Sequence, residues 1–330
     1  MNTKNYVLEL LEAKRGQSIS GETMANQIGV TRNTIWKAIN ELRKDGYIIK
    51  AVTNKGYLLC DDNNFLSVQG MIPFLSNKET SHNISIHATL ESTNKTAKEL
   101  AISGAEQGTI IIANCQTAGK GRYGRNFFSP PDSGIYMSFI LRPSRHDWIT
   151  NPTLITAFAA VSVCKAIEVT TGKTPQIKWV NDIFLDGKKI CGILTEGITD
   201  FESGNMQWII VGIGINFITS DLGLPDEIKH IAGALFPENK PTITRNKLAA
   251  EVVNHLTTFE NKGDGKTMLL EYEKRLMMIG ERVVITGHHE PFEAIVHGID
   301  HMGRLIVERT DGKILTLAFG EIRAHLKQKK

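Results

Sequence analysis

Along the first 45 residues, apolar positions recur at three- and four-residue steps in three short blocks. Tyr6, Val7, Leu10 and Leu11 predict a helix over Thr3 to Ala13. Met24, Ala25 and Ile28 predict a second helix behind the N-cap candidate Ser20, and Ile35, Ile39 and Leu42 a third behind Thr31. Gly29 and Gly46 supply the positive-φ residues that end the second and third helices. Two short helices about a glycine turn predict a helix-turn-helix, in which small Ala25 permits close approach and Val30 and Ile35 fill the angle. The β-rich runs Tyr47 to Val52 and Tyr57 to Leu59, joined through Asn54-Lys55-Gly56, predict a hairpin wing.

After the polar, turn-prone run Asp61-Asp62-Asn63-Asn64, which reads as a linker, the pattern changes. Ile84 and Ile86 alternate as a strand, Glu91-Ser92-Thr93-Asn94 form a cap-like turn, and Asn94 to Ser103 reads as a helix. Thr109 to Ala113 and Gly134 to Leu141 read as buried strands, Leu154 to Thr170 as a helix, and Ile177 to Asp182 as one sheet segment. Lys188 to Glu196 and Trp208 to Phe217 complete a mixed sheet. Helical stretches near Lys247 to Phe259 and Thr267 to Met278 precede four short strands, Val283 to Thr286, Phe292 to Ile299, Leu305 to Arg309 and Ile314 to Ala318. Turn signals at Gly287, Gly303 and Asp311-Gly312 separate them and predict a small β-barrel. The expected organisation is therefore α+β in three parts, residues 1–63, 64–276 and 277–330.

Composition adds exclusions. With 41% hydrophobic and 22% charged residues over 330 positions, the chain is neither disordered, collagenous nor coiled-coil. No run approaches the ~18 consecutive apolar residues of a membrane span, and the N-terminus has no apolar signal segment, so a cytoplasmic protein without a membrane partner is expected. The four cysteines, Cys60, Cys115, Cys164 and Cys191, have neither disulfide-framework nor zinc spacing, and His288-His289 lacks a third ligand, so no resident protein-bound metal is expected. Charge is uneven. The first 60 residues hold nine Lys and Arg against five Asp and Glu, a local +4 within a net +3. Helix order, wing and local charge favour DNA over a protein-contact module, with Thr31, Arg32, Asn33, Thr34 and Lys37 toward bases and phosphates and Lys55 toward a phosphate.

The chemistry concentrates in Gln116-Thr117-Ala118-Gly119-Lys120-Gly121-Arg122-Tyr123-Gly124-Arg125. Its glycines free the backbone to approach a ligand, and Lys120, Arg122 and Arg125 suit a polyanion, although the order of a P-loop is absent. Asn181 and Asp182 interrupt an apolar segment and need partners if buried. The returning strand carries Lys189 back toward them, while Gly212 and Gly214 permit close approach of a ligand or a backbone. Singly, Lys178, Asn181 and Asp182 also read as a structural polar network and Lys189 as a turn lysine.

Together these motifs resemble the biotin protein ligases in their bifunctional form, which also represses the biotin operon. The resemblance rests on Glu91 to Asn94, Gln116 to Arg125, Lys178 to Asp182, Gly187 to Glu196 and Gly212 to Asn216, in order. It implies a winged helix-turn-helix, a biotin/lipoate-ligase-like catalytic domain and an SH3-like C-terminal domain. It also implies a two-step reaction. Biotin and ATP form biotinyl-5′-AMP with Mg²⁺, and a lysine of a biotin carboxyl carrier protein then takes the biotinyl group.

By the same resemblance Ser92, Thr93 and Gln116 hold biotin's ring system, and the backbone near Gly121 and Gly192 approaches the ligand. Lys189 sits by the carboxylate and α-phosphate with Arg122, and Asp182 either takes a proton from the carrier lysine or orients it. Asn94, Gly119, Lys120, Arg125, Phe127, Lys178, Asn181, Gly212 and Asn216 complete the implied binding set. Biotinyl-5′-AMP is expected to favour a homodimer on operator DNA. The sequence departs from the family at Lys120 for arginine and Val180 for proline, and Phe127 stands where some members carry a tryptophan. A ligase with a silent DNA-binding domain, a non-catalytic biotin-responsive regulator and a lipoate ligase are the competing readings.

Overall fold

The computed structural model describes residues 2–61, 63–143, 151–199, 202, 204–262, 265–286, 290–318 and 320–324. Asp62, Gly287 and His288-His289 of the sequence reading lie outside the described residues. The chain divides into two compact units, Met1–Ile86 with Thr242–Asn254, and His87–Pro241 with His255–Lys330.

In the first unit, α1 (Thr3–Ala13), α2 (Gly21–Ile28) and α3 (Arg32–Lys44) form where the apolar spacing places them. Ser20 caps α2 through the Thr23 N–H, Gly29 ends it at φ 78°, and Thr31 caps α3 through the Thr34 N–H. Val7, Leu11, Met24, Ile35, Ile39 and Leu42 close the core between the helices. The wing is β2 (Ile49–Val52) against β3 (Gly56–Leu59), with β1 (Ser18–Ile19) on the other edge of β3. Gly56 is required there. Its φ is +99°, and a Cβ would lie 2.1 Å from the Ile19 carbonyl oxygen.

The segment read as a linker is tied down by hydrogen bonds. Asn63 is buried, accepts from the Ile48 N–H at 2.8 Å and donates to the Cys60 carbonyl at 2.8 Å. Arg15 clasps the buried Glu12 at 2.7 and 2.8 Å and donates to the Asn63 carbonyl at 2.9 Å. Burial pushes the Glu12 carboxyl up, and the Arg15 charge opposes that shift. Beyond Asn64 come α4 (Val68–Met71), two short 3₁₀ turns and β4 (Ile84–His87), then the return of the chain at the start of α7 (Arg245–Lys262). Arg245 is 1% exposed and donates to Asn64 Oδ1 at 2.8 Å, while Asn254 accepts from the Ser76 N–H at 2.8 Å. Periodicity gives no sign of these side-chain clamps.

The second unit is built on strands β5 (Ile110–Ala113), β6 (Gly134–Leu141), β7 (Gln176–Lys178), β8 (Asp182–Leu185), β9 (Lys188–Thr199) and β10 (Met206–Asn216). They follow the order β5-β6-β10-β9-β8-β7, each pair antiparallel. The expected single segment Ile177 to Asp182 is instead two strands, because the chain turns at 179–181 and Lys178 faces Asp182 across the pair. The Trp179–Val180 peptide is cis.

Side chains on a strand alternate faces. One face receives α6 (Pro152–Thr171). That helix is apolar enough for a span, with mean hydropathy 1.5 over 18 residues, but 78% of that window is buried within the chain, as suits a core helix. The other face receives α5 (Thr93–Ile102), whose Ala97 and Ala101 pack on Ile111, Ile140, Trp208 and Ile210. C-terminally, α8 (Gly265–Arg275) leads to β11 (Arg282–Thr286), β12 (Phe292–Ile299), β13 (Leu305–Arg309), β14 (Ile314–Leu317) and β15 (Glu321–Ala324). These form an antiparallel sheet of order β14-β13-β12-β11-β15, whose last strand the sequence pattern misses.

Arg275 bridges Glu168 of α6 at 2.8 Å and Glu271 of α8 at 2.7 Å. Hydrogen bonds from Arg275, and secondarily Lys274, hold the Glu271 carboxyl down at about 2, against 4.5 ordinarily. A depressed acid stabilises the fold above its unfolded pKa and loses that contribution as pH falls through the folded value. Glu271→Gln is therefore expected to lower stability at neutral pH, with the deficit shrinking from pH 4.5 toward 2. Chemical denaturation across that range, wild type beside variant, measures it; a deficit independent of pH would contradict the assignment.

Candidate active site

The face of the sheet that carries α5 changes character along its strands. Ile140, Ile210 and Trp208 lie under the helix, but the next positions toward the helix N-terminus are Ser138, Gly212 and Leu194, and beyond them Tyr136, Gly214 and Gly192. Where the glycines stand, a cavity of about 640 Å³ opens. Its closeness of fit is measurable. A Cβ on Gly212 would lie 2.2 Å from Asn94 Oδ1, and one on Gly214 2.4 Å from the Phe127 ring.

One end of the cavity is the N-terminus of α5. Ser92, Thr93 and Asn94 are all buried there. Gln116 Oε1 accepts from the Thr93 N–H at 2.8 Å, and Gln116 Nε2 donates to Ser129 Oγ at 2.8 Å. Ser138 Oγ lies 2.8 Å from Thr93 Oγ1 and 2.6 Å from Asn94 Oδ1. Sequence reasoning missed Ser129 and Ser138. The only available sign is a serine inside each apolar run, which needs a buried polar partner.

The glycine loop folds back on itself beside this end. Phe127 N–H donates to the Gly119 carbonyl at 2.8 Å and Gly121 N–H to the Arg125 carbonyl at 2.7 Å. Gly119 does not line the cavity; its Cβ would meet the Phe127 carbonyl oxygen at 2.5 Å, so its smallness lets the loop close. Tyr123 holds a left-handed φ of 56° at the tip, and the Arg122 guanidinium lies 5.0 Å over its ring. Lys120 and Arg125 are exposed at the rim.

At the other end, Asp182 pairs with Gly192 across β8 and β9, which turns its carboxylate to the cavity. Lys189 Nζ stands 2.6 Å from Asp182 Oδ1. Asn181 donates to the Ile193 carbonyl at 2.8 Å and accepts from Arg122 Nη1 at 3.3 Å, so the loop and the turn at 179–181 meet. That turn is itself held from the C-terminal part of the unit. Trp179 Nε1 donates to the Gly303 carbonyl at 3.1 Å, and the buried Tyr272 hydroxyl donates to the Val180 carbonyl at 2.8 Å. Asn216 closes the far side by donating to the Gly233 carbonyl at 2.9 Å. Lys178 lies with its Nζ 5.9 Å from the Phe184 ring centroid. Leu224, Ile228, Ile231 and Ala232 form an apolar wall from a loop that carries no motif, and Gly320 reaches the cavity from the C-terminal sheet. Cys191 is 1% exposed on the floor, where burial pushes its thiol well up and keeps it protonated and unreactive. Among the described residues no three His, Cys, Asp or Glu side chains cluster as a metal site.

An end of hydroxyls and amides beside a helix terminus and an end carrying Lys189 and Arg122 suit a ligand with hydrogen-bonding groups at one extremity and an anion at the other. The sequence matches a helix-turn-helix domain over residues 3–58, the biotin/lipoate A/B protein ligase family over 86–216, and the biotin protein ligase C-terminal domain over 278–323. It is 36% identical to the bifunctional ligase/repressor BirA of Bacillus subtilis over 313 residues, 93% of this chain and 94% of that one. The chain belongs to the bifunctional biotin ligase/repressor family. The Escherichia coli BirA is 28% identical, with 93% of each chain covered. The solved biotin protein ligase of Aquifex aeolicus, in complex with biotin and ATP, superposes at TM-score 0.62 with 26% identity, covering 73% of this chain and 97% of that one.

Of the binding and catalytic residues that the resemblance implies, all but Gly119 line the cavity. Gly119→Ala is expected to detach the loop and to weaken ligand binding about tenfold or more, because the added methyl meets backbone and Ser129 Oγ at 2.7 Å, neither of which yields cheaply. Calorimetric titration of the variant with biotin tests this, and wild-type affinity would contradict it.

Proposed function

We propose that this protein is an ATP-dependent biotin protein ligase and a biotin-responsive repressor. The observation that carries the ligase reading is the Lys189–Asp182 ion pair, 2.6 Å long, set in one cavity with Arg122 and opposite the polar helix terminus. In the first step a biotin carboxylate oxygen bonds to the α-phosphorus of ATP and diphosphate leaves. Both reactants are anions. Lys189, Arg122 and the rim cations Lys120 and Arg125 offset their repulsion and stabilise the charge that develops on the phosphoryl oxygens.

In the second step the neutral amine of a biotin carboxyl carrier protein lysine bonds to the carbonyl carbon, AMP leaves, and the amine gives up a proton. Among the described residues lining the cavity Asp182 is the one carboxylate, and it serves as acceptor or orienter for that amine. Lys189 holds it in place meanwhile. A single carboxylate fits Mg²⁺ carried chiefly on nucleotide phosphates, where the ion supplies charge neutralisation.

The repressor reading rests on α3. Arg32, Asn33 and Lys37 are exposed on its N-terminal half, and Lys55 is exposed on the wing, whereas Thr31 and Thr34 spend their hydroxyls on each other at 2.9 Å and on the cap. Trp36 on the same helix is 53% exposed, a contact candidate that periodicity passed over because it lies off the apolar stripe. The reading includes a homodimer on a palindromic operator, favoured by biotinyl-5′-AMP, and work in the cytoplasm, where ATP and the carrier protein are found.

Two outcomes are expected. Incubation with biotin, MgATP and a biotin-acceptor domain adds the mass of one biotin to the acceptor. Lys189→Ala slows this about 10²–10³-fold while the chain stays folded; equal rates would defeat the ligase assignment. Operator binding strengthens when biotin and ATP are both present, and Lys37→Ala weakens it about uniformly across sequences, lowering the salt slope by about one. Titrations with labelled duplexes at several salt concentrations report both, and affinity indifferent to biotin, ATP and Lys37 would remove the repressor reading.

A further inference from the structure

Beyond Asn216 the place of β10 beside β9 passes to residues 231–235. Lys189 N–H donates to the Ile231 carbonyl at 2.8 Å, Gly233 N–H to the Lys189 carbonyl at 2.9 Å, and Leu235 N–H to the Asn216 carbonyl at 2.9 Å. These bonds fix the end of the apolar wall but not its body. There the chain forms two overlapping turns, with the Ile228 and Lys229 N–H groups donating to the Pro225 carbonyl and the Ile231 and Ala232 N–H groups to the Ile228 carbonyl. Among the described residues, one side chain supplies the hydrogen bonds that tie 224–230 to the chain outside these turns. Lys188 Nζ donates to the His230 carbonyl at 3.0 Å and to the Lys229 carbonyl at 3.4 Å. Both carbonyls lie where the turns end, a place that favours a cation. The stem of Lys188 lies against Gly233, on which a Cβ would stand 2.6 Å from Lys188 Cβ.

We infer that Lys188 is a positioning residue that latches the apolar wall at the anion end of the cavity and so retains the nucleoside part of ATP and of the adenylate. This deepens the ligase reading and rests on it. Lys188 does not line the cavity, whereas Lys189 does. Successive side chains of a strand point to opposite faces, so one lysine enters the site while its neighbour holds the wall from outside. The wall is bonded through backbone to Lys189 and therefore stands at the anion end, away from Ser92, Thr93 and Asn94. Of the two small substrates ATP extends past its phosphates into a flat base, which suits an aliphatic surface. Leu224 and Ile228 are half-buried and Ile231 is 46% exposed, so the wall has apolar area for such a body to cover. Without Lys188, residues 224–230 keep no hydrogen bond to the chain beyond their own turns, and a segment so weakly tied opens at little cost. The loss falls on the nucleotide and spares biotin.

The experiment compares wild type, Lys188→Met, Lys188→Arg and Gly233→Ala in steady-state biotinylation of an acceptor domain. Alongside, biotin binding is measured by calorimetry, and the release of preformed radiolabelled biotinyl-5′-AMP is followed in a chase with the unlabelled compound. Lys188→Met removes the ammonium and keeps the stem, whereas Gly233→Ala keeps the charge and pushes the stem away. Expected in both is a rise of about fivefold or more in the ATP KM and in the adenylate release rate, with kcat at saturating ATP and the biotin Kd within about threefold of wild type. Lys188→Arg, whose guanidinium also donates to carbonyls, should stay within about twofold of wild type on every measure. A rise in Lys188→Met that Gly233→Ala does not share assigns Lys188 to direct attraction of the phosphates and overturns the latch. Unchanged ATP KM and release rate in both variants, an arginine variant no better than the methionine one, or a joint loss of biotin binding, kcat and thermal stability overturns it too. Wild type that makes no adenylate from biotin and MgATP overturns the functional reading, whereas wild type that makes it while the variants retain it equally overturns this inference alone.

Discussion

The site depends on side chains that are missing from one face of a sheet. On β9 and β10 the positions that would continue the apolar packing of Ile210 and Trp208 are Gly192, Gly212 and Gly214, and the space they release seats the side chains that line the cavity. Asn94 occupies the volume over Gly212 and Phe127 the volume over Gly214, each closer than a Cβ would permit. A methyl group at either place would push the helix terminus or the glycine loop off the sheet. Without that contact neither the helix end of the cavity nor the loop that carries Arg122 has a fixed seat.

Given that seat, the two ends of the cavity are held by opposite means. The helix end is an interior network of hydrogen-bonded hydroxyls and amides, because a buried polar group without a partner costs on the order of 1–3 kcal/mol. The cationic end is looser. Lys189 and Asp182 keep 28% and 23% of their side-chain surface exposed, and Lys120 and Arg125 stand at the rim. Rigid recognition at one extremity and movable charge at the other is a suitable division for an enzyme that must grip one group while phosphates enter and leave. The turn at 179–181 mediates between them, since Asn181 touches Arg122 while Trp179 and Val180 are anchored to Gly303 and Tyr272.

Much of the architecture was legible in residue order. The three N-terminal helices, their caps at Ser20 and Thr31 and the αL glycine at 29 are local features, decided by neighbours within four residues. Strands β5, β6, β9 and β10 were visible as apolar runs for the same reason. Reading failed where stability comes from distant partners. The supposed linker is clamped through Arg15, Asn63 and Arg245, the segment through Asn181 is a turn rather than a strand interior, and β15 forms only because β11 offers it an edge. Apart from the β7–β8 hairpin, none of these contacts lies within a helical turn or hairpin of the residue concerned.

For the chemistry the division is similar. The sequence by itself determined which charges, amides and glycines are available and in what motifs, because family-specific spacing is written in consecutive residues. Tertiary structure decided their relations. Lys189 reaches Asp182 because β8 and β9 pair antiparallel with Asp182 opposite Gly192, and Ser138 reaches Thr93 and Asn94 because β6 lies beside β10 in the row of Gly212. Strand register is a property of the folded sheet, set by which faces can be buried together, and it alone turns scattered polar residues into one network and one charged pair.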